Sequence, residues 1–141
     1  MSYQYSAFIL FPSKSDVSLE QAEHKLRVFF EDEDKSAEIS FPTGRIVRKK
    51  QNHLLLIVEK WSLRIHFNSE PYVLEESKEL AEYYAAERPD KEVIASCASR
   101  LEIISDLDPN GDYFNYYVFV VELLDQFSGA ITFDCQVQDF V

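Results

Sequence analysis

The stretch Asp106-Leu107-Asp108-Pro109-Asn110-Gly111-Asp112 holds the residues whose types and spacing come nearest to a recognisable chemistry. Oxygen ligands at alternate positions can converge on one cation, and a glycine supplies the tight turn. Asp106, Asp108, Asn110 and Asp112 are therefore candidate ligands of calcium or another cation in a D-x-D-x-N-G loop opening. The pattern then breaks. The twelfth position of such a loop should be a bidentate Glu and is Tyr117, and the eighth, usually aliphatic, is Tyr113. Glu122 or another carboxylate brought in by the fold would have to complete the shell. The structural alternative is a turn at Pro109, Asn110 and Gly111 with Asp112 capping the following helix, its carboxylate accepting backbone N–H bonds at the positive end of the dipole.

Other chemistries have thinner support. Cys97, flanked by Ser96 and Ser99, is the candidate nucleophile of a small hydrolase, with His24, His53 or His66 as a base, but it sits in no recognised nucleophile context and a buried thiol is the commoner role. No G-x-S-x-G elbow, phosphate loop or dinucleotide fingerprint is present. The three histidines show no zinc-ligand spacing, and Cys97 and Cys135 form neither a CxxC pair nor a disulfide scaffold. The expectation is a chain with no catalytic residues and, calcium apart, no cofactor.

Charge is more informative. The chain carries 25 acidic and 14 basic residues, a net −11. Residues 1–70 hold ten of each sign, whereas residues 71–141 hold four basic and fifteen acidic, with no Lys or Arg after Arg100. Such a field repels nucleic acid and anionic lipid and favours cations or a basic protein. The leading functional expectation is a non-catalytic, acidic protein-interaction domain, an inhibitor or immunity-like partner of a basic protein. A cation-binding regulatory module and a small hydrolase are the alternatives. The one basic cluster, Arg45, Arg48, Lys49 and Lys50, reads as a charged edge or hairpin tip that discourages sheet-to-sheet pairing.

With 141 residues, 46% hydrophobic content, 11 Phe and 8 Tyr against 3 Gly and 5 Pro, the composition is that of one ordered globular domain. The N-terminal stretch lacks the charge and length of a secretory signal, and no apolar run reaches the ~18 residues a membrane span needs, so a cytoplasmic location is expected. Periodicity predicts a strand at Tyr3 to Phe11 and a helix over roughly 18 to 31, opened by a capping box at Ser18 and Gln21. Short strands follow at Ala37 to Phe41 and Arg45 to Arg48 around a turn at Pro42-Thr43-Gly44. A hairpin of His53 to Val58 with Ser62 to Phe67 comes next, tipped by Glu59-Lys60. A helix beginning near Pro71, capped by Asn68 or Ser69, is predicted to run until Arg88-Pro89. Lys91 to Ala98 is ambiguous, and Arg100 to Ser105 is a strand.

Tyr113 to Phe127 is predicted to be a central core helix. Asn115, Glu122 and Gln126 fall in one line on a helix, but Asn115 and Glu122 would lie on opposite faces of a strand. Gly129 is placed at its left-handed C-terminal position. Strands at Ala130 to Phe133 and Val137 to Val141 complete the chain. The fold class is α+β: a single domain with a mostly antiparallel sheet and about three helices, ferredoxin-like in outline with an added C-terminal helix and strand.

Asp108-Pro109-Asn110, Asp112 to Tyr116, Val118 to Glu122 and Ile94 to Cys97 together resemble a group of small bacterial proteins of cyanobacterial type. The resemblance implies a bacterial cytosolic protein and carries no activity or site residues with it.

Overall fold

The computed structural model of the chain describes residues 3–12, 15–31, 44–49 and 52–141. Its elements are β1 (Ser6–Pro12), α1 (Leu19–Phe30), β2 (Arg45–Lys49), β3 (His53–Val58), β4 (Trp61–Asn68), α2 (Pro71–Tyr84), α3 (Lys91–Ala95), β5 (Cys97–Ser105), α4 (Phe114–Asp125), β6 (Ile131–Asp134) and β7 (Asp139–Phe140). One open sheet runs in the order β2-β3-β4-β5-β1-β6-β7, with every neighbouring pair antiparallel. This is the α+β class expected from the sequence, with four helices among the described residues. β4 and β5, which flank α2, are direct neighbours, so no strand is inserted between them as a split β-α-β unit would require. The class and the antiparallel pairing are as expected, and the ferredoxin-like strand order is not formed.

The sheet has a core on each face. Ala7, Ile9 and Phe11 of β1 pack with Leu26 and Phe30 of α1 and Val120 and Leu124 of α4, while Leu10 turns the other way to meet Ala81 of α2 and Ile94 of α3. β1 is apolar on both sides because it is covered on both sides, which goes beyond the one buried face that its loose alternation suggests. Each Ile, Leu or Phe buried there contributes about 1.5–3 kcal/mol.

α1 forms where expected, and both bonds of the Ser18–Gln21 capping box are made. It ends at Phe30, as four consecutive carboxylates at a helix C-terminus would dictate. Glu31 then accepts from the backbone N–H of Ile46 at 3.1 Å, occupying a donor on edge strand β2, and Arg27 holds that carboxylate in place. Arg45, Arg48 and Lys49 therefore lie on the outermost strand of the described sheet, the charged edge that was one of the two positions expected for the basic cluster. The predicted strand Ala37 to Phe41 and the turn residues Pro42 and Thr43 lie outside the described residues, as does Lys50.

Several boundaries differ from the periodicity reading. α2 has Glu70 as its N-cap, and Asn68 accepts from the Glu70 N–H instead of capping a later one. The helix stops at Tyr84, short of Arg88-Pro89, and residues 91–98 divide into the short α3 and the start of β5. α4 is a helix, with Asn115, Glu122 and Gln126 exposed in line, but it is an outer-layer helix covered on one side. Tyr116, Tyr117, Val120 and Leu124 are buried, whereas Phe114 is 47% exposed. Gly129 does adopt φ +80°, three residues beyond the C-cap Gln126, so it serves the turn into β6 and not the helix terminus.

Candidate functional site

The acidic loop between β5 and α4 is built as a clamp. Asp108, 1% exposed, bridges Tyr3 by two backbone bonds, and its carboxylate accepts from the Tyr5 hydroxyl at 2.8 Å, the Asp112 N–H at 3.0 Å and the Tyr113 N–H at 2.9 Å. Those two N–H groups belong to the entrance of α4, where backbone donors lack intrahelical partners and favour negative charge. The N-cap of α4 is Tyr113 and no side chain caps it, so the cap expected of Asp112 is not formed; Asp108 instead holds the two N–H groups that lead into the helix. Asp112 itself is exposed.

Asp106 points elsewhere. Its carboxylate accepts from both the N–H and the hydroxyl of Ser62, at 3.0 and 2.8 Å, while its carbonyl takes the Trp61 indole N–H at 3.2 Å. Asn110 is exposed, and Gly111 provides the turn at φ +74°. Of the four candidate ligands, Asp106 and Asp108 diverge toward different partners and Asn110 and Asp112 face solvent. Among the described residues, no three His, Cys, Asp or Glu side chains are grouped to hold a metal ion. Aromatic packing seals the loop, with Trp61 stacked on Tyr113 at 5.1 Å and Tyr5 against Phe114 and Tyr117. Burial, followed by the bond to Asp108, pushes the Tyr5 phenol far above its ordinary range.

Cys97 is fully buried and its thiol donates to the Val93 carbonyl at 3.4 Å. Desolvation pushes its pKa up to about 12, the opposite of what a nucleophilic thiolate requires. His24 lies exposed on α1, and His53 and His66 stack face to face at 4.4 Å on β3 and β4.

A charged cluster that the sequence reading did not assemble lies on the opposite face of the sheet from α1 and α4. Arg100, 3% exposed on β5, donates through Nε to Glu102 at 2.8 Å and through Nη2 to Glu76 of α2 at 2.6 Å. Its guanidinium lies 4.0 Å over the Phe8 ring, and Nη1 is buried without a hydrogen-bond partner among the described residues. Glu102 also accepts from Asn68 at 3.0 Å and contacts His66 Nδ1 at 3.1 Å. Burial works to raise the Glu102 carboxyl, but the bonds from Arg100, Asn68 and His66 outweigh it and hold it below the usual range. The alternation of Arg100 with Glu102, and of His66 with Asn68, places each pair on one strand face. Only the β4–β5 register brings the two pairs together.

Above this cluster, α2 forms the rim of a cleft of about 240 Å3 lined by Phe8, Glu76, Glu79, Leu80, Tyr83, Tyr84 and Arg100. Glu76 and Glu102 pair with the one guanidinium and Glu79 also lines the cleft, so the site has a negative excess. Tyr83 is 74% exposed beside it and Tyr72, one helix end away, 51%. Tyrosines of this kind supply large contact area at small entropic cost and are enriched in interfaces. A larger depression of about 420 Å3, bounded by Pro12, Gln21 and Gly129, holds Asp16 as its only charged side chain among the described residues.

Comparison with protein families, with curated proteins and with solved structures returns no match. Among the described residues, no helix is long and apolar enough to cross a membrane.

Proposed function

We propose that this protein is a non-catalytic interaction domain that captures a basic partner protein through the acidic, tyrosine-bearing face of α2. The observation that carries the reading is the cleft beside Glu79. Its floor and walls, Phe8, Leu80, Tyr83 and Tyr84, are apolar or aromatic, and its rim is acidic. That combination suits one lysine or arginine side chain, with the alkyl stem against the rings and the cationic head at the carboxylates. Arg100 does not oppose such a guest, because Glu76 and Glu102 already neutralise it. Glu75 and Glu82 extend the negative surface along the same helix, which favours fast, salt-sensitive association with a basic surface. An inhibitor or immunity-like role is the form of this activity that suits a compact acidic domain.

The test is affinity capture from the source cell with the wild-type protein, Glu79→Lys and Tyr83→Ala. A basic protein retained by the wild type, released by moderate salt and lost from both variants is the expected result. Recovery of no salt-sensitive partner, or equal recovery by Glu79→Lys, removes the reading.

A further inference from the structure

On the side of the sheet that bears α2, the described residues cover only part of the surface. α2 and α3 lie over β5 and β1, while β2, β3 and β4 present half-exposed or exposed side chains. The strand registers align Val47, Leu55, Arg64 and Ile104 in one row across four strands, and Arg45 and Lys49 stand to either side of Val47 on the same face of β2. The row is an apolar stripe broken by one guanidinium, bordered by cations at its β2 end and by Glu102 and Asp106 at its β5 end. Arg45, Lys49 and Arg64 are exposed and make no ion pair among the described residues, although the chain as a whole is at −11. Shallow depressions of about 350 and 220 Å3 flank Arg64, the first shared with Lys49, the second with Ile104 and Asp106.

We infer that this bare half of the sheet docks an acidic amphipathic helix of a partner protein, with apolar side chains on Val47, Leu55 and Ile104 and a carboxylate on Arg64. The covered half of the same face already displays this arrangement. α2 is a glutamate-rich amphipathic helix that sets Val73, Ser77 and Ala81 on the sheet and sends Glu76 down to Arg100. Arg64 occupies the comparable place on β4 without such a partner. Arg64 within the apolar row, with Arg45 and Lys49 at its β2 end, matches a helix whose apolar stripe is accompanied by carboxylates over β2, β3 and β4. Extension of the sheet edge is opposed, because Glu31 occupies the Ile46 N–H. Single-stranded nucleic acid is opposed as well, since it wants aromatic stacking platforms and His53 and His66 stack on each other.

The surface is separate from the α2 cleft and is tested separately. Fluorescence anisotropy would follow a labelled synthetic peptide with leucine and glutamate at amphipathic helical spacing, against the same residues in shuffled order, a lysine-for-glutamate version and an oligodeoxynucleotide. The ordered acidic peptide should bind the wild-type protein, lose at least tenfold in affinity on shuffling and on Arg64→Glu, and bind Glu79→Lys as well as wild type. An unchanged thermal midpoint for Arg64→Glu certifies that variant as folded, and Leu55→Ser, which leaves every charge in place, should weaken binding too. Equal binding of the shuffled peptide, full binding by Arg64→Glu, no binding at millimolar peptide or tighter binding of the oligodeoxynucleotide each overturn the inference. So does sedimentation showing a dimer that Arg64→Glu dissociates, which assigns the face to a second copy of this chain. None of these failures touches the cleft, whose own reporter is Glu79→Lys.

Discussion

Asp108 is the residue on which the acidic loop turns. It is buried and accepts three hydrogen bonds, two from backbone N–H groups at the start of α4. Asp108→Ala leaves those donors and the Tyr5 hydroxyl without their acceptor and should cost roughly 2–4 kcal/mol of stability. Asp112→Ala, on an exposed side chain, should stay within about 0.5 kcal/mol. Urea denaturation of the two variants separates the buried acceptor from its exposed neighbour, and equal losses would contradict the assignment. Glu102 sets a pH dependence. Its carboxyl is held below the ordinary 4.5 in the folded state, so the unfolded chain binds the proton more readily. The stabilisation is therefore complete above about pH 4.5 and is lost as pH falls through the depressed folded value. Glu102→Gln should lower stability at pH 7, and the gap to wild type should close below pH 4.5; a gap that widens in acid would refute the assignment. Cys97, buried and with its pKa near 12, should resist a thiol reagent at pH 8 in the native protein and react once the chain is unfolded. Rapid labelling of native Cys97 would revive a nucleophilic role.

At the scale of elements, α1 shows local signals and tertiary packing in agreement. The capping box, the Leu19, Ala22, Leu26, Phe30 spacing and the Arg27 pairs with Glu23 and Glu31 all support the same twelve residues. Ser18→Ala should cost about 1 kcal/mol by thermal or chemical denaturation, because one orphan N–H loses its acceptor. α4 shows the limit of local reading. Its polar line at Asn115, Glu122 and Gln126 identified a helix, yet its uniform apolarity suggested burial on every side. The structure leaves Phe114 exposed and Val118, Phe119, Val121 and Leu123 half-buried, since α4 shares one face of the sheet with α1 and no described element lies beyond it. Hydrophobicity reports what a helix can bury, not how many neighbours reach it. The side-chain caps expected for α2 and α4 are not formed, since Glu70 and Tyr113 stand at the N-cap positions, and Asn68 and Asp108 bond to backbone just before each helix.

Over the whole molecule, charge is sorted by surface. α2 carries Glu75, Glu76, Glu79 and Glu82, whereas the uncovered sheet beside it carries Arg45, Lys49 and Arg64. The excess of carboxylates makes self-repulsion the dominant long-range term, so the thermal midpoint at pH 7 should rise by a few degrees between low salt and 0.5 M sodium chloride. A fall would mean that the Arg27, Arg48 and Arg100 pairs outweigh the repulsion. The sequence alone determined the class, the antiparallel hairpin of β3 and β4, three of the helices and the acidity of the second half, because periodicity, capping and composition are local or additive properties. It also located the acidic loop, but it assigned the cap to Asp112. Only the tertiary structure decided that Asp106 turns to Ser62 and Asp108 to Tyr5, since those partners lie forty or more residues away in the chain. It alone placed Glu76, Arg100, Glu102 and His66 together and left half a sheet face bare. Which strands become neighbours, and in what register, depends on long-range pairing that no local window of residues encodes.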